Sequence, residues 1–143
     1  MYNVIEEVYI YWHGPYSLAS CLGSEWADYR GIYTISRVFG DTGSLLYIGE
    51  SYRQTMFERV YSHLQYWAND YRGQKQVRYG DIDLEHGLRL IERRLTEIEA
   101  LLIYWHQPIH NIHHKNGYWG RDLLIVSEGR RGLLDDIVCT DEL

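Results

Sequence analysis

Three stretches carry the β-branched and aromatic residues of half-buried strands: VIEEVYIYW (4–12), GIYTISRVF (31–39) and SLLYIG (44–49). The first predicts a strand ending at the His13-Gly14-Pro15 turn. The other two predict a hairpin joined through GDTG (40–43). VRYGDID (77–83) predicts a third strand and RDLLIVSEG (121–129) a final one. Helical spacing takes over in between. SLASCLGSEWADY (17–29) predicts a short helix, and Met56, Val60, Leu64 and Trp67 predict another. Thr55 and Glu58 fit a capping box at the start of that second helix, and Asn69-Asp70 and Gly73 close it. Leu84, Leu88, Ile91, Leu95, Ile98, Leu102 and Trp105 recur in steps of four and three, which predicts one long amphipathic helix over 84–105, ended by Pro108. GLLDDIV (132–138) predicts a short helix, and the acidic tail beyond it is expected to fray.

Chemistry-bearing residues sit on these elements at definite intervals. Arg59 and His63 are four apart, so both project from one side of their helix. An arginine there offers a planar fork for a phosphate oxygen, and a histidine can orient a phenol or take up a proton. The alternative is a solvated helix surface. Glu99 lies one turn from both Leu95 and Leu102, at the margin of the buried stripe. A carboxylate so placed is partly desolvated and gains from a hard cation. Glu92 and Glu97 compete with it for that role. His106, His110, His113 and His114 are spaced like metal ligands but have no cysteine or acidic partner in the usual arrangement.

Composition narrows the classes. The chain has 143 residues and two prolines, with no internal repeat or low-complexity linker, and this predicts one domain over 1–143. A formal net charge of −6 argues against a generic charge-driven binder of nucleic acid, though not against a local positive patch. Among the 14 Lys and Arg residues only Lys75 and Lys115 are lysine, a bias that suits recognition of planar anions or reflects genome composition. Cys21 and Cys139 are far apart and form no CxxC pair. The N-terminal run lacks the pattern of a signal peptide, and no stretch reaches the length of a membrane helix. The expectation is a cytoplasmic protein with two free thiols and no membrane partner.

The hairpin carries Gly31-Ile32-Tyr33 and, in mirrored order, Tyr47-Ile48-Gly49. Arg59 and His63 follow in FERVYSH, and then Glu99, a Leu-Ile pair, Pro108 and Asn111 in EALLIYWHQPIHN. In this order the residues resemble the GIY-YIG nuclease superfamily, over about residues 30–112. The interval from Glu99 to Asn111 is similar to that of the bacterial excision-repair incision nuclease. His63 is similar to the homing and restriction members, whereas repair members tend to carry tyrosine there. The connection from Tyr47 to Arg59 is longer than in the shortest members. Glu50 and Glu58 stand where some relatives place lysine, with Arg53 nearby as a substitute cation.

The resemblance implies an α+β fold: a small, mostly antiparallel central sheet made of the hairpin and a third strand, extended by terminal strands and flanked by helices. It implies a metal-dependent endonuclease that hydrolyses phosphodiester bonds in nucleic acid, with DNA as the expected substrate and one Mg²⁺ or Mn²⁺ per site. Tyr33 and Tyr47 are both candidates to activate or orient the attacking water. The resemblance favours Tyr33, helped by His63, with Tyr47 fixing the water or phosphate. Arg59 neutralises the scissile phosphate, Glu99 binds the cation, and Asn111 orients groups in the site. Gly31 and Gly49 let the backbone approach substrate or bend the strands, or merely end them. Arg53, Lys115 and Arg121 are candidate nucleic-acid contacts. The alternative is an inactive member of the same fold that binds nucleic acid or protein. No zinc finger or helix-turn-helix is identified in the sequence, so a homodimer or a separate targeting partner is the expected source of recognition.

Overall fold

The computed structural model describes residues 4–18, 28–40 and 42–143. Val8, Ile10 and Trp12 alternate inward along β1 (Glu6–Ser17), while Tyr9 and Tyr11 point outward. The strand does not stop at His13-Gly14-Pro15. A register irregularity between His13 and Tyr16 absorbs the turn, and pairing resumes at Tyr16 opposite Val77. Gly14 makes this work, because it takes φ +123° where a Cβ would lie 2.9 Å from the Val77 carbonyl oxygen. The helix expected over 17–29 lies largely outside the described residues, and Ser17 itself ends β1.

The hairpin forms as β2 (Ile32–Phe39) and β3 (Thr42–Glu50). Leu46 is an extra residue on β3 where the pairing shifts from Ile35↔Tyr47 to Ser36↔Leu45. A capping box between Thr55 and Glu58 starts α1 (Met56–Tyr66), as expected. The third strand, β4 (Gln74–Leu84), lies between β2 and β1. Leu84 pairs with Val8 and therefore cannot begin a helix. His86 and Gly87 follow with φ +57° and +66°, so the long helix is cut to α2 (Glu92–His106). Leu88 and Ile91, counted in its apolar stripe, are exposed.

Leu123–Gly129 forms β5, parallel to β1. The segment expected as a closing helix instead turns at Gly132 (φ +63°), buries Leu134 and pairs Ile137–Cys139 with β5 as β6. The tail also departs from expectation, since Thr140–Glu142 makes a helical turn and the Thr140 hydroxyl accepts the Leu123 N–H. The α+β class therefore holds. The sheet has six strands in the order β3-β2-β4-β1-β5-β6, and it is mixed rather than mostly antiparallel because β5 enters beside β1 in parallel. Strands from outside 30–112 complete the same sheet.

Two apolar clusters divide along β2, as strand alternation requires. Ile32 joins Val8, Ile10, Trp12 and the α2 residues Leu95, Ile98 and Leu102. Tyr33 and Ile35 join Val77, Tyr79 and the α1 residues Met56 and Val60. Among the described residues no helix is long and apolar enough to cross a membrane. Cys139 is a free thiol.

Candidate functional site

The hairpin sets two phenol rings side by side. Tyr33 pairs directly opposite Gly49, and the ring centroids of Tyr33 and Tyr47 lie 6.2 Å apart. A Cβ on Gly49 would lie 2.5 Å from Tyr33 Oη and 2.7 Å from Tyr47 Cε1, so this glycine vacates the space that the rings occupy. Gly31 has a different task. Its carbonyl accepts the Ser51 N–H at 2.8 Å, and its N–H donates to Ser51 Oγ, which closes the base of the hairpin.

Arg59 and His63 reach the phenols from α1. His63 is buried along with Met56 and Val60, so it belongs to the inward side of the helix rather than to a solvated one. Its Nε2 lies 2.6 Å from Tyr33 Oη, and its Nδ1 accepts the Trp67 indole N–H at 2.8 Å. Arg59 Nη2 donates to Tyr47 Oη at 3.4 Å, while Arg59 Nε is buried without a partner. Burial, then the charges of Arg59 and His110, holds His63 down at about 3, so it is neutral near pH 7. Burial pushes the Tyr33 phenol far above its usual range, against the pull of Arg59. Tyr47 moves the same way for the same reasons.

The third contribution comes from α2 and the segment after it. Burial and the neighbouring Glu50 carboxylate push Glu99 up to about 7, opposed by Arg59 and the Glu50 backbone N–H. Glu50 is itself raised by burial. His114 Nε2 stands 3.9 Å from Glu99 Oε1. Beyond Pro108 the chain runs along the open edge of β3, where the N–H groups of Ile109 and His110 donate to the carbonyls of Leu45 and Leu46. Asn111 completes this seam: Ile48 N–H donates to its Oδ1 at 2.9 Å, and its Nδ2 donates to the Ile48 carbonyl at 3.0 Å. Both ends of the amide are thus committed to backbone. Asn111→Ala would leave a buried N–H and C=O unpaired, so unfolding free energy should fall by about 2–4 kcal/mol in a denaturant titration. A loss under about 0.5 kcal/mol would mean that the main-chain bonds hold this edge alone.

Tyr47, Arg59, His63, Glu99 and Asn111 line one cavity of about 430 Å³, joined by Glu50, Trp67 and His110. Tyr33 stands behind that wall, fully buried, and reaches it through His63. Five of the six core site residues inferred from sequence therefore face one space. Of Glu50, Trp67 and His110, the first two had no role assigned from sequence, and His110 was weighed only as one of four histidines spaced like metal ligands. Glu50 counted only as a departure from lysine, and Trp67 only as part of an apolar stripe, although its place four residues past His63 was a usable signal. His110 stacks on Trp67 at 3.9 Å and bonds Tyr71 Oη through Nδ1.

The outlying candidates fare differently. Arg53 grips Glu92 through Nε and Nη2 at 3.0 and 3.1 Å, beside a second hollow that shares Glu50 and Arg59. Arg121 is tied to Glu6 and Glu97, and neither it nor Lys115 lines this cavity. Glu97, one competitor of Glu99, spends its carboxylate on Arg93 and the Arg121 N–H. His106 has both ring nitrogens engaged, with the Leu102 carbonyl and the Asp135 N–H. Among the described residues no three metal-ligating side chains group together, which disfavours a zinc centre built on the histidines. Two carboxylates in a polar cavity match a different ion. Mg²⁺ is commonly held by one or two carboxylates and otherwise keeps waters and substrate oxygens. Compared with known protein families, with curated proteins and with solved structures, the chain has no match.

Proposed function

We propose that this chain is a divalent-metal-dependent endonuclease of the GIY-YIG type that hydrolyses phosphodiester bonds in DNA. One observation supports it above the others: one strand and two helices bring an arginine, two carboxylates and a phenol to one cavity. Phosphodiester hydrolysis needs an oriented water, a positive group at the phosphate and a stabilised leaving oxygen. Arg59 lines the cavity and would offer its guanidinium as a fork for phosphate oxygens. Glu99, with Glu50 beside it, would hold the cation, which when bound would stabilise charge on the 3′ leaving oxygen. Tyr47 is the phenol that faces the cavity, so it is the better placed of the pair to orient the attacking water. Tyr33 is fully buried, and this reverses the order of roles that the family resemblance implies. Asn111 acts by anchoring β3 rather than by touching substrate.

The purified protein should nick supercoiled plasmid in Mg²⁺ or Mn²⁺ and lose that activity in EDTA. Single-stranded, duplex and branched DNA and RNA, compared side by side, define the substrate. Folded protein that binds these nucleic acids in a gel-shift assay but cuts none of them with either cation would replace the endonuclease with an inactive binding module.

A further inference from the structure

An indole N–H can only donate. Trp67 Nε1 lies 2.8 Å from His63 Nδ1, so that ring nitrogen must offer its lone pair. A cationic imidazole would oppose two donors across this contact, and burial together with Arg59 already disfavours the cation. The single ring proton therefore resides on Nε2, which stands 2.6 Å from Tyr33 Oη. Its direction follows: the imidazole donates and the phenol oxygen accepts. His63 has no free lone pair with which to take the phenolic proton. It favours electron density on Tyr33 Oη instead, in the same sense as Arg59.

Trp67 is itself held in place. Its ring stacks on His110 at 3.9 Å with a 14° tilt, and His110 is bonded through Nδ1 to Tyr71 Oη. Tyr71 also meets the Trp67 ring edge-on at 5.8 Å. His63 is thus packed among aromatic rings, Tyr47 included, and among these shell residues Trp67 gives its imidazole a hydrogen bond through the indole N–H. We propose that Trp67 is a positioning residue that locks the His63 tautomer and so makes His63 a fixed hydrogen-bond donor to Tyr33. The tautomer lock stands on geometry alone, whereas its consequence for turnover rests on the endonuclease reading.

Histidine ring-nitrogen NMR on the full chain separates the two. The wild type should show His63 with a protonated Nε2 and a lone-pair Nδ1. Trp67→Phe keeps the ring stack and removes the donor, so the Nδ1 signal should move towards a mixture of tautomers. Tyr71→Phe alters the same shell without touching His63 and should leave the pattern unchanged. If Trp67→Phe does not fold, His63→Gln supplies a second route, because a side-chain amide can also donate to Tyr33. It should retain more activity than His63→Ala. In the folded Trp67→Phe protein, kcat should drop about tenfold with KM unchanged, as expected for losing one oriented hydrogen bond. A wild-type His63 protonated on Nδ1, an Nδ1 signal insensitive to Trp67→Phe, or, where the wild type cleaves, equal activities of His63→Gln and His63→Ala would each overturn the proposal. A wild type that cuts no substrate would remove the endonuclease while leaving the NMR result to decide the tautomer lock.

Discussion

Glu99→Ala should lower metal-dependent cleavage by on the order of a thousandfold, since a bound cation contributes several kcal/mol of transition-state stabilisation. The reason is local. Glu99 is the buried carboxylate of the cavity, and its proton and a cation compete for the same oxygens. Its carboxyl is raised from 4.5 to about 7, so below pH 7 the metal must displace a proton. Apparent Mg²⁺ affinity should therefore climb about tenfold per pH unit up to about pH 7 and level off above it. Calorimetry in buffers of different ionisation enthalpy reads the proton released. The same shift makes a claim about stability. A carboxylate raised on folding contributes stability that is complete below its unfolded pKa and is lost as pH rises through its folded pKa. In EDTA, Glu99→Gln should match the wild type near pH 4 and exceed it by up to about 3 kcal/mol at pH 8, the shift from 4.5 to about 7 expressed as free energy. His63, held down at about 3, works in the opposite direction: its contribution is present above about 6.5 and is lost as pH falls through about 3. Comparing Glu99→Gln with wild type at each pH cancels that background. Equal stabilities at pH 8 would show that Glu99 is not desolvated, and cleavage by Glu99→Ala at the wild-type rate would end its role as the cation's ligand.

Local chemistry made much of this arrangement readable in the sequence, and long-range pairing decided the rest. The capping box at Thr55 and Glu58, the hairpin around GDTG and the order of Tyr33, Tyr47, Arg59 and Glu99 are short-range signals, and each element they imply is present. The helix expected from Leu84 failed because apolar steps of three and four do not distinguish a helix from a strand end followed by a loop. Pairing of Leu84 with Val8 and the left-handed backbone at His86 and Gly87 settled the matter. GLLDDIV misled in the same way, since its apolar residues serve β6 against β5, a partner that periodicity cannot reveal. At the site, the sequence placed Arg59 and His63 together but could not tell which of them would be buried. Both line the cavity, but His63 is buried and bonded to Tyr33, whereas Arg59 is only partly buried and bonded to Tyr47. Nor could it reveal that Asn111 would be consumed by the Ile48 backbone, because that contact spans 63 positions.

Arg59→Ala should cost cleavage about a hundred- to a thousandfold, the range for removing a preorganised donor from a developing anion. The guanidinium is half-buried, donates weakly to Tyr47 at 3.4 Å, also interacts with the Tyr33 phenol, and leaves Nε unpaired. A buried cation with spare donors gains most when an anion arrives. It contributes little to folding by comparison, so the melting temperature should barely change. Arg59→Lys restores the charge but not the fork, and should recover only a minor part of the rate. Part of any loss could instead pass through Glu99, because Arg59 lowers the Glu99 carboxyl and its removal would raise that group further. Single-turnover rates at pH 8.5 with saturating Mg²⁺ remove this route, since Glu99 is then ionised in both proteins. A defect that persists there belongs to the phosphate. A defect seen only near pH 6.5 would reassign Arg59 to tuning Glu99, and full activity of Arg59→Ala at both pH values would leave the cavity without its phosphate-binding group.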